Sequence, residues 1–389
     1  MRLGWVLVLI FVATATAATP GASADGKCAG ALPQALAGLP ATVVVTTDCG
    51  RFRLAPGRNA VYIGPWKSPV PSAARGYWMD LTWYGRSHGH LLIGRGMERL
   101  WRSHNTYRGP INSDLGAVAL GRKALAFGFF RGRRPDLYVA RYGGRERLAA
   151  RGESPLGFVP SGALVTLEDK SQALVLRSDS GRLERLIAPH VIEPQRDLHS
   201  GMLVYRVRHR LFVFDGTHPR QIAGLRRLGI RGTPQIEPLG RLVAVHDQRR
   251  LVVVAYDGRL RASTALPTRP KRADMVSSSV EANQAGTAVA FTATKGNTAY
   301  GSSGRETVYV LGAGDRQARP VLTEQVTFKV CERMASLAWR GRWLLYGNSE
   351  RQAAIVDISG ERPALDLSEV IARLPATSRD DGRFDVAWR

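Results

Sequence analysis

The sequence predicts an all-β protein, a single β-propeller of four-stranded antiparallel blades. Seven glycines, Gly85, Gly121, Gly162, Gly201, Gly240, Gly286 and Gly341, each stand ahead of a hydrophobic strand, at separations of 36, 41, 39, 39, 46 and 55 residues. A period of about forty residues, filled with short strands and turns, is the signature of propeller blades. A second turn series keeps the same order between these glycines: Tyr142-Gly143-Gly144, Ser180-Gly181, Asp215-Gly216, Asp257-Gly258, Ala313-Gly314 and Ser359-Gly360. Such pairs supply the positive φ that tight hairpin turns need. Helical periodicity is nearly absent between the strands, which counts against a parallel-sheet fold.

Taken in order, residues 1–24 read as a signal peptide. Arg2 gives the positive start, residues 3–12 the apolar stretch, and Ala22-Ser23-Ala24 the small-residue cleavage site. The apolar run fades after Val12 and breaks at Pro20-Gly21, which is short for a spanning helix. The mature chain is therefore expected to begin at Asp25, to carry no membrane span, and to be exported to the periplasm, cell wall or medium. Residues 25–76 hold three strand-like runs, 42–47, 51–54 and 60–63, that either cap the ring or form its closing blade. Residues 77–389 carry the repeats.

Within a unit, a short strand turns at the anchor glycine into an apolar strand, as in 163–167 after Gly162 and 242–246 after Gly240. A β-branched or aromatic third strand follows, such as Leu211-Phe212-Val213-Phe214, then a weaker fourth, such as 183–187. One helix is predicted over 367–374, with Ser368 as its N-cap and Pro375 beyond its end. The terminal run 384–388 resembles the opening strand of a unit. Seven blades is the preferred count. Eight is the alternative, closed by joining the N- and C-terminal strands, which would hide the sheet edges.

The stretch Asn283-Gln284-Ala285-Gly286, with Ala288-Val289-Ala290-Phe291 and Val308-Tyr309-Val310, resembles the TolB-type, WD40-like (PD40) propeller repeat. Gly240 with the run 252–258 is the next best match, and the resemblance spans about residues 77–365 as degenerate repeats. It implies a propeller. The intact Ser-Pro-Asp-Gly string of that family does not occur, nor do the Gly-His and Trp-Asp signatures of true WD40 repeats.

The formal charge is +23, almost all from arginine. Clusters at Arg131-Gly132-Arg133-Arg134, Arg226-Arg227 and Arg269-Pro270-Lys271-Arg272 lack the interleaved aromatics of a single-strand nucleic-acid platform. No specific nucleic-acid partner is expected, whereas anionic polymers and surfaces are attracted by such a field. Of three cysteines, Cys28 and Cys49 flank the first ordered segment and are the expected disulfide, with Cys331 read as a buried thiol.

Catalytic signatures are sparse. Gly301-Ser302-Ser303-Gly304 is no nucleophile elbow, and the adjacent pairs Glu168-Asp169 and Asp380-Asp381 would point to opposite faces of a strand. The one suggestive constellation is His88, His90 and His104, a candidate zinc or copper set; no other cofactor is expected. Aromatics gather near the first unit, and Trp78, Trp83, Trp101 and Arg102 form the candidate binding groove. The insertion 294–305 reads as a long polar loop. The reading is an exported, monomeric, non-catalytic binding or scaffold propeller for a protein or an anionic envelope polymer. The alternative is a polysaccharide-directed hydrolase or lyase with its site at the central channel.

Overall fold

A computed structural model describes residues 32–389 apart from 65–67, 70–76, 85–87, 96–97, 106, 109–114, 132–133, 199, 232–233, 248, 267–278, 297–302, 328–334, 349 and 376–383. Among the described residues the strands pair into eight antiparallel sheets, each the blade of a β-propeller. Blade 1 covers 68–108, blade 2 115–151, blade 3 153–188, blade 4 192–224, blade 5 235–265, blade 6 280–327 and blade 7 336–366. Blade 8 is built from both ends of the chain. Asp385–Trp388 pairs antiparallel with Val43–Thr47, and Gly50–Leu54 and Val61–Gly64 complete the sheet.

The ring thus has eight blades, not the preferred seven. The N-terminal runs are strands of the closing sheet, and their pattern shows why: Val43–Thr47 and Gly50–Leu54 each alternate buried and half-buried residues. That is the two-residue period of a strand with one face in the core. A loose cap would leave Asp385–Trp388 without a strand partner.

Both glycine series fall at turns. Gly162, Gly201, Gly240, Gly286 and Gly341 lie between the first and second strands of their blades and have positive φ. Gly143, Gly181, Gly216, Gly258, Gly314 and Gly360 follow the third strands and do the same. Gly121 is a glycine for another reason, since a Cβ there would lie 2.8 Å from Cγ of Phe158 in the next blade. Gly85 is outside the described residues, and the strands flanking it, Tyr77–Tyr84 and His88–Arg95, are the second and third of blade 1. It sits one hairpin later than the other anchors.

The core is a series of seams. Each of seven buried clusters joins two neighbouring blades, as where Val204, Leu211 and Val213 of blade 4 meet Ile236, Val243 and Val252 of blade 5. Two further findings differ from the sequence expectations. The insertion in blade 6 continues as paired strand as far as Gly296 opposite Gly304, because Thr294 and Glu306 are buried on one face. The helix covers Ser368–Ala372 with Leu367 as N-cap; Ser368 lies inside it, and its backbone N–H donates to Asp366 Oδ1 at 2.8 Å.

Candidate anion-binding site

The residues singled out in blade 1 take separate places. Trp101 is 4% exposed, packs on Phe127, and donates its indole N–H to Gly144 O at 3.0 Å, so it belongs to the seam between blades 1 and 2. Arg102, one residue on, is exposed. Trp78, Trp83 and His88 lie on strands of blade 1, and their own side chains fall outside the described residues. His90 Nδ1 lies 2.8 Å from Ser103 O, which makes Nδ1 the protonated nitrogen. His104 Nδ1 is 3.6 Å from Glu146 Oε2, and the same buried carboxylate accepts the backbone N–H groups of His104 and Asn105. Among the described residues no three His, Cys, Asp or Glu side chains gather into a metal-ligand set. Cys49 lies in the turn ahead of strand Gly50–Leu54, its N–H donating to Thr47 Oγ1 at 3.2 Å, while Cys28 and Cys331 are outside the described residues.

A recess of about 450 Å³ lies instead at one corner of blade 4, lined by His209, Arg210, Gln221, Gly224, Arg226 and Arg227. Three segments build it. His209 and Arg210 come from the turn into strand Arg210–Phe214, and Gln221 and Gly224 from the neighbouring strand Pro219–Gly224. Arg226 and Arg227 come from the short turn that leads to blade 5.

That turn is closed like a helix end. Ile230 N–H bonds Leu225 O at 3.1 Å and Gly229 N–H bonds Arg226 O at 3.1 Å, with Gly229 at φ +77°. This is the paired bonding of a Schellman motif, which needs a residue in the left-handed region and favours glycine there. Its two apolar ends, Leu225 and Ile230, are 2% and 3% exposed in the seam between blades 4 and 5. Between them Arg226 and Arg227 point outward and are exposed. The turn is docked to the recess by Leu225 N–H on His209 O at 2.9 Å.

Neighbouring arginines are held at the same corner. Asp247 is 7% exposed and accepts the backbone N–H groups of Arg231 at 3.0 Å, Arg249 at 2.8 Å and Arg250 at 2.9 Å. The Arg250 guanidinium reaches back to Leu228 O at 3.5 Å. Two carboxylates of blades 4 and 5 are engaged in contacts of their own. Glu237 faces His246 at 3.5 Å, with burial pushing its carboxyl above the usual range. Asp215 is held below the usual range by hydrogen bonds from Thr217 at 2.6 Å and 2.8 Å.

Among the described residues no carboxylate forms an ion pair with Arg210, Arg226 or Arg227. Arg226 Nη2 contacts His209 Nε2 at 3.3 Å, so the arginine donates and the imidazole accepts. Guanidinium groups crowded without counter-charge form a site that a negative ligand completes, through short, charge-assisted hydrogen bonds. The sequence contained Arg226-Arg227 as a basic doublet, but nothing in it brought His209 and Arg210 alongside.

The chain matches no protein-family model and no curated protein. Among solved structures it is similar to apo AztD from Citrobacter koseri, at a TM-score of 0.51 and 8% identity over 89% of this chain and 97% of that one. The computationally designed Ika8 protein aligns at 0.46 and 11% identity over 85% and 98% of the two chains. BamB from Moraxella catarrhalis aligns at 0.39 and 11% over 75% and 85%. At these identities the similarity is one of fold: the chain is a β-propeller.

Proposed function

We propose that this chain is an exported, non-catalytic binding propeller that engages an anionic polymer through the arginine-rich corner of blades 4 and 5. The observation that carries the reading is the recess where Arg210, Arg226 and Arg227 stand together without a described carboxylate partner. A rigid turn presents two of these charges, and the rest of the ring serves as its scaffold. Export is supported by the character of residues 1–24 and by Cys49, which we read as one half of a bridge to Cys28.

The test is retention of the mature protein on immobilised polyphosphate, sulfated glycan and polygalacturonate, eluted with salt. Replacing Arg226 and Arg227 together with Gln should cut retention on at least one polymer far more than replacing the exposed Arg122 and Arg316. Equal losses from the two double variants would mean that only the overall charge of +23 is felt, and would overturn the reading.

A further inference from the structure

We infer that the recess selects a terminal tetrahedral oxyanion, a phosphate or sulfate monoester carried on a sugar-sized unit, over a carboxylate. The inference rests on the anion-binding reading and sharpens it to a ligand class.

The argument starts from donor supply. Each guanidinium carries five N–H donors in a planar fork, and a carboxylate, with two oxygens in one plane, is matched by one fork. Here three guanidinium side chains line one recess from two different segments, Arg210 from a strand and Arg226 and Arg227 from the turn. An internal phosphodiester also offers only two free oxygens. A terminal monoester offers three, pointing in three directions, and a phosphate monoester adds a charge close to −2 at neutral pH. His209 contacts one of these guanidinium groups, its Nε2 lying 3.3 Å from Arg226 Nη2.

Size and remaining polarity point the same way. About 450 Å³ is more than a bare oxyanion fills and is on the scale of small-ligand sites. Gln221, with both a donor and an acceptor, is the amide side chain in the lining and suits a hydroxyl of the unit that bears the charge. Among the described residues no Phe, Tyr or Trp lines the recess, so hydrogen bonds carry most of the hold on the bearing group.

The experiment is isothermal titration of the mature protein with glucose 6-phosphate, glucose 6-sulfate and glucuronate at fixed ionic strength. Both esters should bind at least about tenfold more tightly than glucuronate, the gap expected when one extra charge-assisted hydrogen bond is made. Phosphate above sulfate would name the dianion as the preferred source, and equality would name the tetrahedral shape. Arg226→Gln and Arg227→Gln should each weaken the esters about tenfold while leaving the melting temperature in place, since both side chains are exposed. Arg227→Lys, which keeps the charge and loses the fork, should fall between. Glucuronate binding within twofold of the esters, still dependent on Arg226 and Arg227, would overturn this inference and leave the anion-binding reading standing. Ester binding indifferent to both arginines would overturn both.

Discussion

The indole N–H of Trp388 donates to the carbonyl oxygen of Ala338 at 2.9 Å, so the last strand of the chain is bonded to the innermost strand of the blade before it. Trp339 occupies the equivalent place one blade earlier and donates to Glu281 O at 3.1 Å. The same device is used twice around the ring. At Trp388 it also secures closure, because Asp385–Trp388 is the only strand of blade 8 that comes from the C-terminal end.

Trp388→Phe keeps most of the ring's bulk and removes that donor. With Trp388 8% exposed, the variant should lose about 1–3 kcal/mol in chemical denaturation. Removing residues 384–389 takes away the whole strand and should cost far more, exposing Val43–Thr47 as a free edge. A truncated protein with the denaturation midpoint of the parent would show that the N-terminal strands do not depend on the C-terminal one.

The turns of the fold were legible because two glycine series obey one physical requirement, positive φ at a tight turn, and nearly every member meets it. Gly121 fell into the series by position although its constraint is the Phe158 ring, and Gly85 fell into it although it lies one hairpin late. The count went astray at blade 8, whose strands come from both ends of the chain, so that its N-terminal runs read equally well as a cap. The candidate site was illegible for a different reason. Trp101 drew attention as an aromatic, but it is the buried residue of its strand, with the exposed Arg102 beside it. Arg226-Arg227 looked like any other basic doublet. The informative pattern was the apolar Leu225 and Ile230 around it, followed from the inside by Gly229; what that turn docks against is a tertiary fact that spacing does not carry.

Gly229 should therefore couple stability to binding. Its φ of +77° costs an L-residue about 1–2 kcal/mol, and a Cβ would press on the Arg250 guanidinium. Gly229→Ala should lower stability by about that amount and also weaken anion binding by displacing Arg226 and Arg227. Gly314→Ala makes the control: φ is +87° and the space around it is open. It should show a similar loss of stability with binding intact. Equal binding by the two variants would separate the turn from the site.

Alkaline stability should report on Tyr205. The ring is 1% exposed and stacked on Phe212 with centroids 5.4 Å apart, and burial pushes its phenol up to about 12. The unfolded chain releases this proton near pH 10, so between there and about 12 the unfolded state binds fewer protons and stability falls as pH rises. Tyr205→Phe removes that release, and its stability curve should be shallower by up to about 1.4 kcal/mol per pH unit in this window. Tyr256, raised in the same direction by desolvation and by the Asp197 carboxylate that its hydroxyl contacts at 2.6 Å, keeps part of the slope in both proteins. Parallel curves would mean that Tyr205 ionises at the same pH in the folded and unfolded chains.

The proposed Cys28–Cys49 bridge can be judged on reach. Pro33 O accepts the N–H of Ala60 at 3.0 Å, which fixes the N-terminal segment at the end of blade 8 where Leu54 and Val61 lie. Cys49 is at the opposite end, across the five residues of Gly50–Leu54. Cys28 precedes Pro33 by five residues, and an extended chain of that length spans about 17 Å, the length of such a strand. Non-reducing peptide mapping of the mature protein should return a fragment linking Cys28 to Cys49. Reduction should then lower stability by about 3 kcal/mol, as for the opening of a loop of this size. A fragment linking Cys49 to Cys331 instead would tie blade 8 to the segment entering blade 7, and the N-terminal segment would be held by its packing alone.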